Sequence, residues 1–170
     1  MILKEKIQKD LEEAFKKKDE IIVSVLRMLL AAILNKEKEK RFKLTKEKPD
    51  ISEKDLEKES QLGTDEEIVE VISSEAKKRK EAILEFEKGE RQDLVEKEKK
   101  ELAILQKYLP EQLSEEEIKK LAKEVIKKVA ASEIKDTGRV MQELMSQVKG
   151  KADGGQVGKI VKELLQSSMN

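Results

Sequence analysis

The amino-acid sequence predicts an all-α protein, and three observations carry that prediction. Lys, Arg, Asp and Glu make up 44% of the 170 residues, against about 25% in an ordinary globular domain, and Lys and Glu are good helix formers. Apolar residues recur at three- and four-residue intervals, the period of one helix face, and no stretch shows the strict alternation of a half-buried strand. Two of the apolar stripes are opened by the same pattern, Thr64 with Glu67 and Ser114 with Glu117, in which a hydroxyl and a carboxylate satisfy each other's backbone N–H groups.

Each element follows in order. Leu3, Ile7, Leu11, Ala14 and Phe15 mark a first helix. The window Ile21 to Leu34 is apolar except for Ser24 and Arg27 and predicts a second helix at the centre of a bundle, continuing to Lys40; Asp19 is placed to cap it. From Arg41 to Gly63 the stripe is lost. Phe42 and Leu44 stand alone, Pro49 interrupts, and Ser52-Glu53-Lys54-Asp55 starts only a short helix. The expectation there is a long, mostly solvated loop over about residues 42–63 with one or two helical turns. Thr64 then opens a helix striped by Ile68, Ile72, Ala76, Ile83 and Phe86, Gly89 terminates it, and a further helix with Leu94, Leu102, Leu105, Tyr108 and Leu109 ends at Pro110.

Beyond Pro110, Ser114 opens a helix with Ile118, Leu121, Ala122, Val125, Ile126 and Val129 on one face. Asp136-Thr137-Gly138 opens another with Val140, Met141, Leu144, Met145 and Val148. Gly150 and Asp153-Gly154-Gly155 separate it from a last helix carrying Val157, Ile160, Val161, Leu164 and Leu165. The predicted architecture is an N-terminal bundle of about four helices over residues 1–110 and a small three-helix domain over residues 111–170.

Composition also limits the chemistry. With no His and no Cys there is no Ser-His-Asp or Cys-His nucleophile system, no zinc site of thiolate or imidazole, and no disulfide. Glu98 and Glu101, with Glu85 or Glu87, outline a carboxylate-bridged metal site, but four-helix di-metal sites use Glu-x-x-His and this chain has no His. No metal and no cofactor are expected. Gly150-Lys151 lacks the upstream Gly and the following Ser or Thr of a phosphate-binding Walker loop. Arg27 is either a ligand-contacting guanidinium or one whose stem packs in the bundle while its head pairs with an acid. Tyr108 is expected as a core aromatic with its hydroxyl at the surface, and Met141 and Met145 as core side chains.

The chain turns charged immediately after Leu3, unlike a signal peptide, and its most apolar window falls short of the ~20 residues that cross a bilayer. These features predict a cytoplasmic protein with no membrane association. Thirty-seven cations balance 37 anions, which argues against a surface basic throughout. The balance is not uniform, however. Lys149 and Lys151 flank Gly150 beside a helix N-terminus, where free N–H groups favour anions, and Lys159 and Lys162 lie on the polar face of the last helix. Two readings of this patch stand: a phosphate-binding surface, or an ordinary turn in which Asp153 caps the helix and the lysines stay in water.

Ser24 to Ile33, Gly89-Glu90-Arg91-Gln92-Asp93-Leu94, Tyr108-Leu109-Pro110-Glu111-Gln112-Leu113-Ser114, Gly138-Arg139-Val140-Met141 and Lys149-Gly150-Lys151-Ala152-Asp153-Gly154 together resemble the GatB/YqeY family, in its stand-alone YqeY form. The resemblance implies a two-part all-helical fold whose C-terminal domain is similar to the tail of the B subunit of tRNA-dependent amidotransferases, where the tail helps to hold tRNA. It also implies carbon–nitrogen ligase activity with glutamine as amido-N-donor, yet this chain has no counterpart of the catalytic body. The expected function is therefore a non-catalytic, tRNA-binding or tRNA-associated accessory protein, with Arg139, Lys149, Lys151, Lys159 and Lys162 on the phosphates. The alternatives are a helical module that docks on another protein through an exposed apolar groove between its domains, and a ligase component that needs a partner chain.

Overall fold

The structure, a computed structural model, describes residues 2–167. The chain divides into two compact units, Met1–Tyr108 and Leu109–Asn170. Among the described residues all regular structure is helical.

The first unit contains α1 (Ile2–Lys17), α2 (Glu20–Glu47), α3 (Glu53–Ser60), α4 (Asp65–Lys88) and α5 (Gln92–Gln106). Helix α2 is the hub, packing against the other four. Its start is local chemistry: the Asp19 carboxylate accepts the Ile22 N–H at 3.0 Å, and Lys18, at φ 57°, turns the chain sharply out of α1. From there Val25, Leu26, Leu29 and Ile33 point inward against Ile7 and Ala14 of α1, Ile68 and Ile72 of α4, and Val95 and Leu105 of α5, all buried. Each large apolar side chain removed from water contributes about 1.5–3 kcal/mol, so this stripe outweighs any single polar contact in the unit.

The expected loop over residues 42–63 is largely helix. Helix α2 continues to Glu47, α3 occupies Glu53–Ser60, and only residues 48–52 and 61–64 remain as connections. Leu56 and Leu62 are buried. Beside these buried leucines, ion pairs bridge the extension to α3 and α4. Arg41 pairs with Glu53, Lys48 with Glu59 at 2.6 Å, and Lys40 with Glu67 at 2.8 Å while also donating to the Gln61 carbonyl at 3.0 Å. Ser52 caps α3 by accepting the Asp55 N–H at 3.1 Å. The end of α5 also differs from expectation. It stops at Gln106, because Lys107 and Tyr108 donate to the carbonyls of Ile104 and Leu105 in tight i→i−3 bonds, and the residue ahead of Pro110 is disfavoured in helical conformation.

The second unit contains α6 (Glu115–Lys128), a 3₁₀ turn at Ile134–Asp136, α7 (Thr137–Val148) and α8 (Gly154–Ser167). The three helices pack on one another around Ile118, Ala122, Val125, Val140, Leu144, Val148, Val157, Ile160, Val161 and Leu165, all buried. Met141 and Met145 lie against this core, where the sequence places them, and they come close to α8 at its glycines: a Cβ at Gly154 would lie 3.6 Å from the Met145 Cε. Both capping boxes form, Thr64 with Glu67 and Ser114 with Glu117. No described helix is long and apolar enough to cross a membrane.

Candidate functional site

The most unusual local sequence of the chain, Lys149 to Gly155, makes the turn between α7 and α8. Helix α7 ends at Val148, whose carbonyl accepts the N–H groups of Lys151 at 2.8 Å and Ala152 at 3.2 Å. Closing so tight a turn puts Gly150 at φ 73°, a region where a side chain is strained. The two outward carbonyls of the turn are then taken by the segment that leads into α6. Gln112 Nε2 donates to the Gly150 carbonyl at 2.8 Å, and the Leu113 N–H donates to the Lys151 carbonyl at 2.8 Å. The two most distinctive sequence segments of the second unit are thus one structural feature.

Asp153 settles which groups at this turn remain open to an anion. Its Oδ1 accepts the N–H groups of Gly155 at 3.0 Å and Gln156 at 3.1 Å, so the first turn of α8 is capped from within. A Cβ at Gly155 would sit 3.0 Å from that same Oδ1, which is why glycine fits there. Any attraction for phosphate therefore comes from lysine side chains and not from the helix terminus.

All five candidate cations are exposed: Arg139 on α7, Lys149 and Lys151 in the turn, Lys159 and Lys162 on α8. Their environments differ. Arg139 Nη2 pairs with Asp136 at 2.9 Å. That carboxyl is held below the usual range chiefly by the N–H groups of Ser132 and Glu133, with Arg139 adding to the effect. Lys159 lies near Glu115, whose carboxyl is lowered mainly by Lys119, its partner at 2.5 Å. Within residues 139–162 only Glu143 and Asp153 oppose the five cations, and Glu143 is already engaged by Lys128 at 2.5 Å.

One feature escaped the sequence reading. Lys120, Lys123 and Lys127 fall at i, i+3 and i+7 on the exposed side of α6, opposite Ile118, Ala122 and Val125, and none forms an ion pair among the described residues. The spacing was legible, but Glu116 and Glu124 on the same face disguise it as an ordinary mixed-charge surface.

The first unit resolves the other candidates. Arg79 stands between Glu98 and Glu101, with Nη1 3.1 Å from Glu98 and Nη2 2.8 Å from Glu101. Glu85 pairs with Lys88 and Glu87 with Lys99. The outlined carboxylate metal site is therefore an arginine-centred ion cluster, and among the described residues no group of three or more acids could hold a metal. Tyr108 is buried, its hydroxyl donating to Asp10 Oδ2 at 2.7 Å; burial, and then the neighbouring carboxylate, push its titration upward. Arg27 is exposed with its guanidinium 5.9 Å from the Phe15 ring centre, and no acid among the described residues pairs with it.

The model of the Yqey-like protein family matches residues 4–50 and 48–165, spanning both units. The chain is 29% identical over 163 residues to the altered inheritance of mitochondria protein 41, mitochondrial, of Pyrenophora tritici-repentis, covering 94% of this chain and 79% of that protein. It is 45% identical over 51 residues to an uncharacterized protein of Schizosaccharomyces pombe, covering 30% of this chain and 42% of that one. With the family match extending from the first helix through the lysine turn and into α8, the chain belongs to the Yqey-like protein family.

Proposed function

We propose that this protein is a non-catalytic RNA-binding accessory protein whose ligand is tRNA, held through phosphate contacts by its C-terminal unit. The observation that carries this reading is the exposure of Lys149, Lys151, Lys159 and Lys162 around a turn that backbone hydrogen bonds fix in place. Exposed ammonium groups read backbone charge and shape, so recognition is sensitive to salt and indifferent to base sequence. Lys120, Lys123 and Lys127 supply further cations in the same unit. The resemblance to the amidotransferase tail supports the choice of tRNA over other RNA. A cytoplasmic location suits this role, while the name of the Pyrenophora relative associates that protein with mitochondria.

The test is tRNA binding measured against salt concentration. Four lysine–phosphate contacts give a slope of roughly −3 to −4 in log affinity against log salt. Replacing Lys149 and Lys151 with Glu lowers affinity at low salt more than about tenfold and reduces the slope by about 2. No detectable binding at low salt, or binding unchanged in the double variant, refutes the proposal. With no Ser-His-Asp or Cys-His nucleophile system in the chain, purified protein with glutamine, ATP and charged tRNA is expected to give no amide transfer by itself.

A further inference from the structure

The window Ile21 to Leu34 is apolar nearly all round, yet the first unit covers only one side of it. Val25, Leu26, Leu29 and Ile33 are buried, while Ile21, Ser24, Met28, Ala31 and Asn35 are exposed. A helix apolar all round is ordinarily enclosed all round. The exposed five fall at alternating intervals of three and four, the a and d positions of a two-helix seam, and none is charged in a chain that is 44% charged. Of the seven large hydrophobic side chains that stand exposed among the described residues, four lie on α2, and a fifth, Phe15, lines a groove of about 630 Å³ beside Met28. Gathered on one element in this way they mark an interaction surface, whereas scattered ones do not.

We propose that this face pairs with the same face of a second copy, the two α2 helices running antiparallel about a two-fold axis between Leu29 and Leu30. The seam complements itself in that register. Met28 of each copy meets Ala31 of the other, a large side chain against a small one. Ser24 meets Asn35, and neither side chain has a hydrogen-bond partner among the described residues; hydroxyl and amide satisfy each other across the seam. One layer farther out, Lys38 reaches Ile21 and its neighbour Glu20. Neither Glu20 nor Lys38 is ion-paired among the described residues, and the two-fold axis brings the pair together twice. Charge also sets the direction, because parallel helices would place Lys38 against Lys38 and Glu20 against Glu20.

The flanks agree with this pairing. Leu34, 50% exposed, comes to lie over Arg27 and Phe15 of the other copy. Both signs of charge border the face, with Lys18 and Arg27 on one side and Asp93, Glu96, Lys97 and Lys100 on the other. A patch that binds its own copy must carry both signs, since each group meets a group of the same surface. A nucleic acid would need a bias toward positive charge that this face lacks, and a helix of another protein would find no single sign to match. The proposal stands independently of tRNA binding by the second unit.

Sedimentation equilibrium and cross-linking of the full chain test it. The dimer fraction rises between about 1 and 100 µM. Ala31→Glu raises the dissociation constant at least about tenfold, with circular dichroism unchanged because Ala31 is exposed. Glu20→Lys weakens the dimer about three- to tenfold, and adding Lys38→Glu restores it. The chain has no cysteine, so introduced disulfides report the register. Antiparallel pairing sets Ser24 opposite Asn35 and about 16 Å along the helix from its own counterpart, beyond the ~7 Å that a disulfide spans. Mixed Ser24→Cys and Asn35→Cys chains therefore cross-link under mild oxidation, and neither variant alone does. A monomer at every concentration, which would leave the seam to a helix of another protein, overturns the proposal. So does a dimer indifferent to Ala31→Glu, cross-linking of either cysteine variant with itself, or none in the mixture.

Discussion

Gly150 is where the fold and the candidate RNA surface depend on the same few atoms. Its φ of 73° lies in the left-handed region, where a Cβ costs about 1–2 kcal/mol, less for Asn and more for a β-branched residue. In the series Gly150→Asn, Gly150→Ala and Gly150→Val, the turn should therefore weaken in that order. The effect is readable at one atom, because the Leu113 N–H is bonded to the carbonyl of Lys151, the residue after the substitution. With Ala, a loss of 1–2 kcal/mol corresponds to about 5- to 30-fold faster opening, so hydrogen exchange at Leu113 accelerates by that factor. Asn gives less and Val more, while amides in the α4 interior do not change. If Ala and Val exchange at the rate of the glycine protein, or if Asn is worse than Ala, the backbone argument is wrong and the turn is held by something other than its left-handed residue.

Two further outcomes follow from charge. Arg79→Met leaves Glu101, 5% exposed, beside Glu98 without a counter-ion, and urea denaturation should show a loss of about 3 kcal/mol; adding Glu101→Met and Glu98→Gln should recover most of it, and a loss below about 1 kcal/mol for Arg79→Met contradicts the pairing. Lys40, then the Gly63 and Thr64 N–H groups, hold the Glu67 carboxyl below its usual range. Between its folded and unfolded titrations the unfolded chain binds the extra proton, so Glu67's contribution is present above the unfolded pKa and lost as pH falls through the lower folded one. Glu67→Gln should thus be less stable than the parent at neutral pH, with the gap narrowing in acid; a gap that stays constant with pH contradicts this.

What could be read from the sequence was local. Asp19, Thr64 and Ser114 announce helix starts because a cap involves only residues three apart, and Gly89 and the stripe from Ile118 to Val125 are equally short-range signals. The extension of α2 past Lys40 and the existence of α3 could not be read the same way. Leu56 and Leu62 are buried there, and Arg41 with Glu53, Lys48 with Glu59 and Lys40 with Glu67 join residues 11 to 27 apart. In a chain so rich in both charges, spacing alone does not select one pairing among many. The same ambiguity surrounds Glu98 and Glu101: the lack of His argues against a metal site there, but spacing does not point to Arg79 as their shared partner. At the lysine turn, Asp153 was foreseeable as a cap, whereas the bonds from Gln112 and Leu113 join residues 38 apart and needed the fold. Lys120, Lys123 and Lys127 were in plain view but masked by the glutamates around them.

The bonds from Gln112 and Leu113 to the turn also have a mechanical meaning. Tension pulling the chain ahead of α6 away from the second unit would reach Gln112 and Leu113 before it reached any helix of that unit, and their two hydrogen bonds to Gly150 and Lys151 would bear the load first. The lysine turn is thus the clasp that a pull along the chain would open earliest, and the strength of that clasp sets how much strain the second unit tolerates while its lysines keep their arrangement.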